Sequence, residues 1–269
     1  MSWPAFSTLE LERDGAVTWL RLNRPARFNA LTEEGCAELG AAIRVLAADA
    51  DTRVLVLTGN GRGFCAGADV AGLEERLSWG LTRQIGRFER MAREIVLGLH
   101  ELSVPTIAAI NGAASGGGLS LALACDLRVI AADATITFGF TGVGLIPDLG
   151  ATYFLPRLIG LPQACRLLWT NRRLSAEQAL AVGLVDEISA AGELAGQVTA
   201  LARQIAAAPQ LAVRLGRAAM RAALHGTLAE ALDTEGLAQS LCLQSADHQQ
   251  RVRAFLQRPA GQNRAAAIE

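Results

Sequence analysis

The sequence predicts an α/β protein with a helical C-terminal region. Short strands rich in β-branched residues, such as Arg53 to Thr58, alternate with helical stretches over the first two thirds of the chain. Hydrophobic residues make up 51% of the 269 residues and charged residues only 19%, so the chain has enough apolar material for a buried core. From about Leu161 onward the pattern is mainly helical.

The first elements are a hairpin and a helix. Apolar and polar residues alternate over Leu9 to Arg13 and over Val17 to Leu22, with an Asp-Gly turn between them, which predicts a β-hairpin. Thr32 has a hydroxyl that can cap a helix, and the helix is expected to end near Ala48.

The middle of the chain repeats the change from strand to helix. Arg53 to Thr58 is predicted to be a strand that enters a glycine-rich loop at residues 59–63. A helix is expected over about Leu81 to Leu102, and Pro105 precedes a buried strand, Thr106 to Ile110. After a glycine cluster, an apolar helix is expected to run through Ala124.

Two further strands, Leu127 to Ala131 and Thr135 to Phe138, complete the predicted α/β part apart from one short strand at Leu184 to Ile188. Capping boxes mark two helix starts in the remainder, Ser175 with Gln178 and Thr227 with Glu230. We therefore expect a core over residues 1–195 and a helical region over residues 196–269, with a frayed end after Pro259.

The charge balance and the absence of lysine exclude several function classes. The formal charge is −1, so neither nucleic acid nor an anionic membrane is the expected partner. All 25 basic residues are arginine, which excludes a Schiff base on lysine and the lysine of a Walker loop.

The cysteines and histidines give no sign of a metal site or a disulfide framework. Five cysteines lie far apart without a CxxC pair, and the chain has three histidines. No secretory leader is recognisable at residues 1–6, and the longest apolar stretch is interrupted by Asn111 and glycines. A cytoplasmic protein without a bound metal or cofactor is expected.

Two segments are suited to donating backbone hydrogen bonds. The first, Phe64 to Asp69, is built mainly from small residues, which leave N–H groups accessible. In the second, a strand ending in Asn111 and Gly112 leads to three consecutive glycines at a helix start, residues 116–118. A helix start supplies unpaired N–H groups and partial positive charge, which a developing oxyanion needs, although close packing of two backbones is an equal alternative.

Taken together, these segments resemble the enoyl-CoA hydratase/isomerase, or crotonase, superfamily. The similarity runs in the same order along nearly the whole chain and includes the motifs at residues 23–25, 29–31, 64–69, 109–112, 116–118, 125–126, 144–148 and 181–185. The resemblance implies the crotonase fold: ββα units wound into a superhelix, followed by a helical region used for trimerisation. The implied assembly is a homotrimer or a dimer of trimers.

The resemblance also implies a substrate and its contacts. The substrate would be an acyl-CoA thioester, with coenzyme A entering as part of the substrate. The N–H groups of Ala68 and Gly117 would form the oxyanion hole for the thioester carbonyl. Further contacts to the acyl-CoA are expected from Ala26, Arg27, Phe28, Ala66, Asp69, Gly116 and Phe140.

The sequence departs from the hydratase pattern at both of its catalytic glutamates. Ser120 and Phe140 occupy those positions, and neither side chain can activate water as a carboxylate does. Asp148 is the nearby carboxylate, in an apolar setting that raises the pKa of an acid. It could instead cap the helix that follows.

Several branches of the superfamily place an acid at this position, which favours a catalytic Asp148. An isomerase of enoyl-CoA or of ring-derived acyl-CoA is the function that we expect, with Asp148 moving a proton between two carbons. The alternatives are an enoyl-CoA hydratase, a hydrolase or dehalogenase with Asp148 as nucleophile, and an inactive CoA-binding subunit.

Overall fold

The structure is a computed structural model that describes residues 3–257, and it divides into two units. Unit 1 ends at Ile205, and unit 2 begins at Ala206. The boundary expected from the sequence, between residues 195 and 196, falls inside the helix Leu194–Ala206. The expected frayed end after Pro259 lies outside the described residues.

Strands and helices alternate through unit 1, as the sequence predicts for an α/β protein. The strands are β1 Leu9–Asp14, β2 Val17–Leu22, β3 Val54–Gly59, β4 Gly63–Cys65, β5 Thr106–Ile110, β6 Ala113–Ser115, β7 Leu127–Ala131, β8 Thr135–Thr137, β9 Leu174–Ser175 and β10 Glu187–Ser189. The helices of this unit are α1 Glu33–Ala47, α2 Leu73–Leu77, α3 Leu81–Arg90, α4 Gly98–His100, α5 Gly117–Ala124, α6 Ala151–Ile159, α7 Leu161–Thr170, α8 Ala176–Ala181 and α9 Leu194–Ala206.

The strands of unit 1 form two sheets. The larger sheet has the order β1-β2-β3-β5-β7-β10, in which β1 and β2 pair antiparallel and the remaining neighbours pair parallel. The smaller sheet has the order β4-β6-β8-β9, with only β8 and β9 antiparallel. Because β4 and β6 are parallel neighbours, the loops that follow them leave the same edge of the smaller sheet.

Most elements follow the sequence prediction closely. The hairpin is confirmed, with Asp14 opposite Val17 at its turn. The Thr32 hydroxyl accepts a hydrogen bond from the N–H of Gly35 at 3.0 Å and so caps α1. Both predicted capping boxes are present, at the starts of α8 and of a later helix in unit 2.

The helix predicted over Leu81 to Leu102 is more complex than expected. It consists of α3, a π-helical stretch at Met91–Leu97 and the short α4, so it ends at His100. A π-helical turn widens the hydrogen-bonding pattern and often marks a functional region. Nothing in the apolar spacing of the sequence indicates this change of pitch.

The strand predicted at Leu184 to Ile188 is wrong in its bounds. The backbone N–H of Leu184 bonds to the carbonyl of Ala179, which closes the turn after α8, and the Leu184 carbonyl accepts from Arg128. Only β10, at Glu187–Ser189, is extended and paired. The two-residue β9 was not predicted, because it is too short to show alternation.

Unit 2 contains α10 Gln210–Ala223, α11 Leu228–Gln244 and α12 Ala246–Leu256. No side chain of these three helices is buried. Large apolar side chains are exposed on these helices: Leu211, Met220, Leu228, Leu232, Leu237, Leu241, Leu243, Val252, Phe255 and Leu256. Leu224, just after α10, is exposed as well. A helical unit of this kind leaves an unusually large apolar surface without cover.

Among the three consecutive glycines 116–118, Gly118 makes the closest approach to another backbone, where α5 packs against β4. A Cβ on Gly118 would lie 2.3 Å from the carbonyl oxygen of Cys65 and 2.6 Å from its Cβ, so only glycine fits. The alternative interpretation of the cluster, close packing of two backbones, is therefore correct for Gly118. It does not exclude hydrogen bonding by the neighbouring N–H groups.

Gly118→Ala is expected to destabilise the protein by about 2 kcal/mol or more, because the added methyl overpacks a backbone contact that cannot relax. Gly196→Ala is the matched control, since nothing lies within 4 Å of the added Cβ in α9. Thermal unfolding of both variants measures the difference. An equal midpoint for the two would contradict the contact.

Candidate active site

The loop after β4 leaves one backbone N–H without an acceptor among the described residues. Leu31 forms a parallel bridge with Ala68, in which its N–H donates to Gly67 at 2.7 Å and its carbonyl accepts from Asp69 at 3.0 Å. These bonds use the residues on either side of Ala68, so the N–H of Ala68 points away from Leu31. Among the described residues this N–H has no acceptor, and Ala68 is exposed.

The turn between β6 and α5 presents a second N–H. Gly116 has φ 51° and ψ −124°, a conformation open mainly to glycine, and Gly117 is the first residue of the helix. The first N–H groups of a helix have no partner inside it, and within residues 3–257 the N–H of Gly117 has no other acceptor. This donor also lies at the positive end of the helix.

The two segments lie against one another. A Cβ on Gly67 would be 3.4 Å from the nitrogen of Gly117 and 2.8 Å from the carbonyl oxygen of Ser115, and Gly67 itself has φ 86°. Ala68 follows Gly67 directly, so the two predicted donors come from backbone segments in contact. The structure therefore brings together Ala68 and Gly117, which are 49 positions apart in the chain.

Asp148 lies beside this pair of segments. Its Oδ1 lies 3.9 Å from the position that a Cβ on Gly117 would occupy. Oδ1 is buried and has no hydrogen-bond partner within residues 3–257. Burial raises the pKa of Asp148 above its ordinary value, and the charge of Arg87 opposes this rise in part. A buried carboxylate oxygen without a protein partner, next to an N–H group that has no protein acceptor, is suited to accepting a proton from a ligand.

The alternative role of Asp148 as a helix cap is not observed. Gly150 is the N-cap of α6, and no side chain caps this helix. The Ser120 hydroxyl bonds to two backbone carbonyls, that of Gly116 at 3.3 Å and that of Asp148 at 3.0 Å. The side chain of Asp148 therefore does not stabilise the start of α6 by capping it.

Arg87 is a residue near the site that the sequence did not single out. Its side chain is only 7% exposed and forms an ion pair with Glu33, which Arg76 also approaches at 3.7 Å. Burial raises the pKa of the Cys36 thiol to about 11. The charge of Arg87 lowers this pKa in part, and the charge of Asp148 raises it slightly. One arginine in an amphipathic helix gives no sequence signal, because only the fold places it near Asp148.

The other predicted contacts lie around the same segments. Ala26 and Arg27 form part of a short 3-10 helix and, like Phe28, are exposed. The carbonyl of Phe28 accepts from the N–H of Ala66 at 2.9 Å, so these two predicted segments meet. Phe140 is 5% exposed, and its ring would lie 3.9 Å from a Cβ on Gly116.

Asp69 has a partner within the protein. Its carboxylate pairs with Arg24 at 2.8 Å and accepts from the N–H of Ala71 at 3.0 Å, so it caps the 3-10 helix Val70–Gly72. Chiefly the hydrogen bond from Arg24 lowers the pKa of Asp69. These contacts give Asp69 a role in shaping the loop beside Ala68.

Residues 3–257 were found to hold neither a metal-ligand cluster nor a membrane-spanning helix. No cluster of three or more histidine, cysteine, aspartate or glutamate side chains in this range could hold a metal ion. None of the helices there combines the length and apolar character that a membrane span needs.

Comparison with known proteins gives a consistent result. The sequence model described as Enoyl-CoA hydratase/isomerase matches residues 12–262. A 1,2-epoxyphenylacetyl-CoA isomerase of Escherichia coli is 38% identical over 243 residues, which are 89% of this chain and 92% of that protein. A crotonyl-CoA hydratase of Syntrophomonas wolfei is 33% identical over 255 residues, 94% and 96% of the two chains.

The crystal structure of an enoyl-CoA hydratase from Bacillus anthracis superposes with a TM-score of 0.87 at 33% identity, covering 93% of this chain and 96% of that one. The expected fold class, an α/β crotonase fold with a helical C-terminal region, is confirmed by this agreement. The relatives include both a hydratase and an isomerase, so similarity alone does not select the reaction.

Asp148→Asn is expected to raise the thermal midpoint at pH 7. The pKa of Asp148 is raised in the folded state. At a pH below the ordinary value of 3.8 the side chain is neutral in the folded and unfolded chain, so its burial costs no free energy of folding. As the pH rises through the raised pKa, the buried side chain becomes charged and destabilises the fold. Asparagine has no charge to bury, so the gain should vanish near pH 4. Asp133→Asn, on an exposed turn, is the control. A gain that persists unchanged at pH 4 would contradict the assignment.

Proposed function

The chain belongs to the enoyl-CoA hydratase/isomerase family, and we propose that within it the protein is an isomerase of enoyl-CoA or ring-derived acyl-CoA thioesters. Asp148 serves as the single proton shuttle. The observation behind this proposal is the buried Oδ1 of Asp148, which has no protein partner and faces the start of α5.

Two backbone donors stabilise the charge that forms during the reaction. Removal of a proton from the carbon next to a thioester places negative charge on the thioester oxygen. The N–H groups of Ala68 and Gly117, both without protein acceptors, receive that oxygen. Losing one such donor typically costs about 3 kcal/mol of barrier.

The proton moves in two balanced steps. The Asp148 carboxylate takes a proton from C2 of a 3-enoyl-CoA, and the electron pair delocalises into a dienolate held at the oxyanion hole. The protonated Asp148 then returns the proton to C4, which leaves the double bond between C2 and C3. Substrate and product are isomers, and the aspartate ends as it began.

Two side chains favour isomerisation over hydration. Ser120 is fully buried, and its hydroxyl lies against backbone carbonyls, while Phe140 places an almost fully buried ring where a second carboxylate is needed. Neither is suited to orienting a water molecule, so a single acid is left to exchange a proton. The similarity to a 1,2-epoxyphenylacetyl-CoA isomerase supports the inclusion of ring-derived acyl-CoA thioesters among the proposed substrates.

The coenzyme A part of the substrate is assigned to the segment beside the oxyanion hole. Ala26, Arg27 and Phe28 are exposed there and adjoin the accessible Ala66. Because the chain lacks lysine, arginine provides the positive charge for phosphate groups. Asp69, held by Arg24, and Gly116 are assigned to the same binding surface.

The protein is also proposed to form a homotrimer or a dimer of trimers. The three helices of unit 2 expose ten large apolar side chains and bury none, which is a surface that association would cover. In the proposed assembly, this apolar surface of unit 2 packs against a second copy of the chain.

Asp148→Asn is expected to lower isomerase turnover at least 100-fold, since general acid–base catalysis typically contributes about 10²- to 10⁴-fold. The assay follows the absorbance of the conjugated thioester formed from 3-hexenoyl-CoA and, in D2O, deuterium uptake by mass spectrometry. Asp133→Asn should keep full turnover. Wild-type-like activity of Asp148→Asn would eliminate the proposed mechanism, and water addition to a 2-enoyl-CoA without isomerisation would favour a hydratase.

Leu237→Arg is expected to shift the protein to smaller assemblies. Leu237 is 68% exposed on α11, and a charge there would disfavour an apolar interface. Light scattering after size exclusion should give at least three times the chain mass of 28.3 kDa for the unaltered protein. A monomeric unaltered protein would contradict the proposed assembly.

A further inference from the structure

The position of the Asp148 carboxylate is set by its main chain. Oδ1 makes no hydrogen bond within the protein, and no cap or ion pair of the described residues holds the side chain. A general base must nevertheless be held within a fraction of an ångström of the proton that it removes. The groups that hold the backbone of Asp148 therefore decide where its carboxylate lies.

The Ser120 hydroxyl is one of those groups. Its Oγ donates to the carbonyl oxygen of Asp148 at 3.0 Å, and the N–H of Ala151 donates to the same oxygen at 3.0 Å. A serine inside a helix usually bonds to the carbonyl four residues earlier, which here is Gly116. That contact is longer, at 3.3 Å, so the better bond of Ser120 leaves its own helix and reaches the Asp148 loop.

The backbone after Asp148 needs such support. Leu149 has φ 47°, in the left-handed region that a leucine rarely adopts, and Gly150 follows with φ 85°. Such conformations persist only where their surroundings enforce them, and they concentrate at functional sites. The Leu149 side chain is 6% exposed, and its Cδ1 would lie 3.2 Å from a Cβ on Gly117.

Helix α5 thereby contacts both parts of the proposed site. Its first residue, Gly117, supplies an oxyanion-hole donor, and one turn later Ser120 holds the main chain of the base. We propose that Ser120 is a positioning residue, which fixes the distance between the carboxylate of Asp148 and the oxyanion hole. This inference rests on the proposed isomerase function, because it assigns Ser120 a role through Asp148.

Ser120→Ala tests the inference, with Ser189→Ala as matched control. Both serines are fully buried, but Ser189 lies in β10, and its hydroxyl bonds to the carbonyl of Ala190 at 3.4 Å. Ser120→Ala should lower kcat for 3-hexenoyl-CoA about 10- to 100-fold, because a base displaced by a fraction of an ångström loses its alignment. KM should stay unchanged, since both N–H donors remain. Ser189→Ala should change neither kcat nor KM, although its Tm should shift by about as much as that of Ser120→Ala.

A second variant separates positioning from stability. Ser120→Cys keeps nearly the same shape but has a weaker donor, so its kcat should lie between those of Ser120→Ala and the unaltered protein. Unchanged kcat in Ser120→Ala, or a rise in KM alone, would overturn the inference. Failure of both Ser120 variants to fold while Ser189→Ala folds would overturn it too, because Ser120 would then serve the stability of the fold.

The proposed function and the positioning role fail in different ways. An unaltered protein without isomerase activity or deuterium uptake, or an active Asp148→Asn variant, removes the proposed function and with it the inference. An inactive Asp148→Asn variant combined with an unimpaired Ser120→Ala variant removes the positioning role alone.

Discussion

The close contact between the start of α5 and the loop after β4 is the constraint on which the site depends. Gly118 packs against Cys65 without room for a side chain, and Gly67 packs somewhat less closely against Ser115 and Gly117. We infer that two backbone segments in such contact present the N–H groups of Ala68 and Gly117 to the same ligand atom. Hydrogen-bond donors fixed in this way need no rearrangement when charge develops on a ligand, which is the basis of electrostatic catalysis.

In the proposed reaction, a few side chains around this backbone arrangement determine the chemistry. Ser120 and Phe140 stand where the hydratase pattern has carboxylates, and Asp148 is the acid that, among residues 3–257, has a buried oxygen without a hydrogen-bond partner. Burial raises the pKa of that acid, while the nearby charge of Arg87 limits the rise. The proposed isomerase would thus use a backbone site shared by the family with a different set of acids and bases.

Local features of the sequence predicted most of the fold. Turn chemistry and capping identified the hairpin and the helix that begins after Thr32, and the glycines at residues 116–118 identified a close backbone approach. The π-helical stretch and the bounds of β10 could not be predicted, because both depend on hydrogen bonds between distant parts of the chain. Arg87 and the bond from Ser120 to Asp148 were missed for the same reason.

The central claim concerns geometry around a bound thioester, so a crystal structure with a saturated acyl-CoA, which cannot isomerise, tests it most directly. The thioester oxygen should lie about 3 Å from the amide nitrogens of both Ala68 and Gly117. C2 of the acyl group should face the Asp148 carboxylate at about 3.5 Å or less. A thioester oxygen bound elsewhere, or an Asp148 carboxylate turned away from C2, would contradict it.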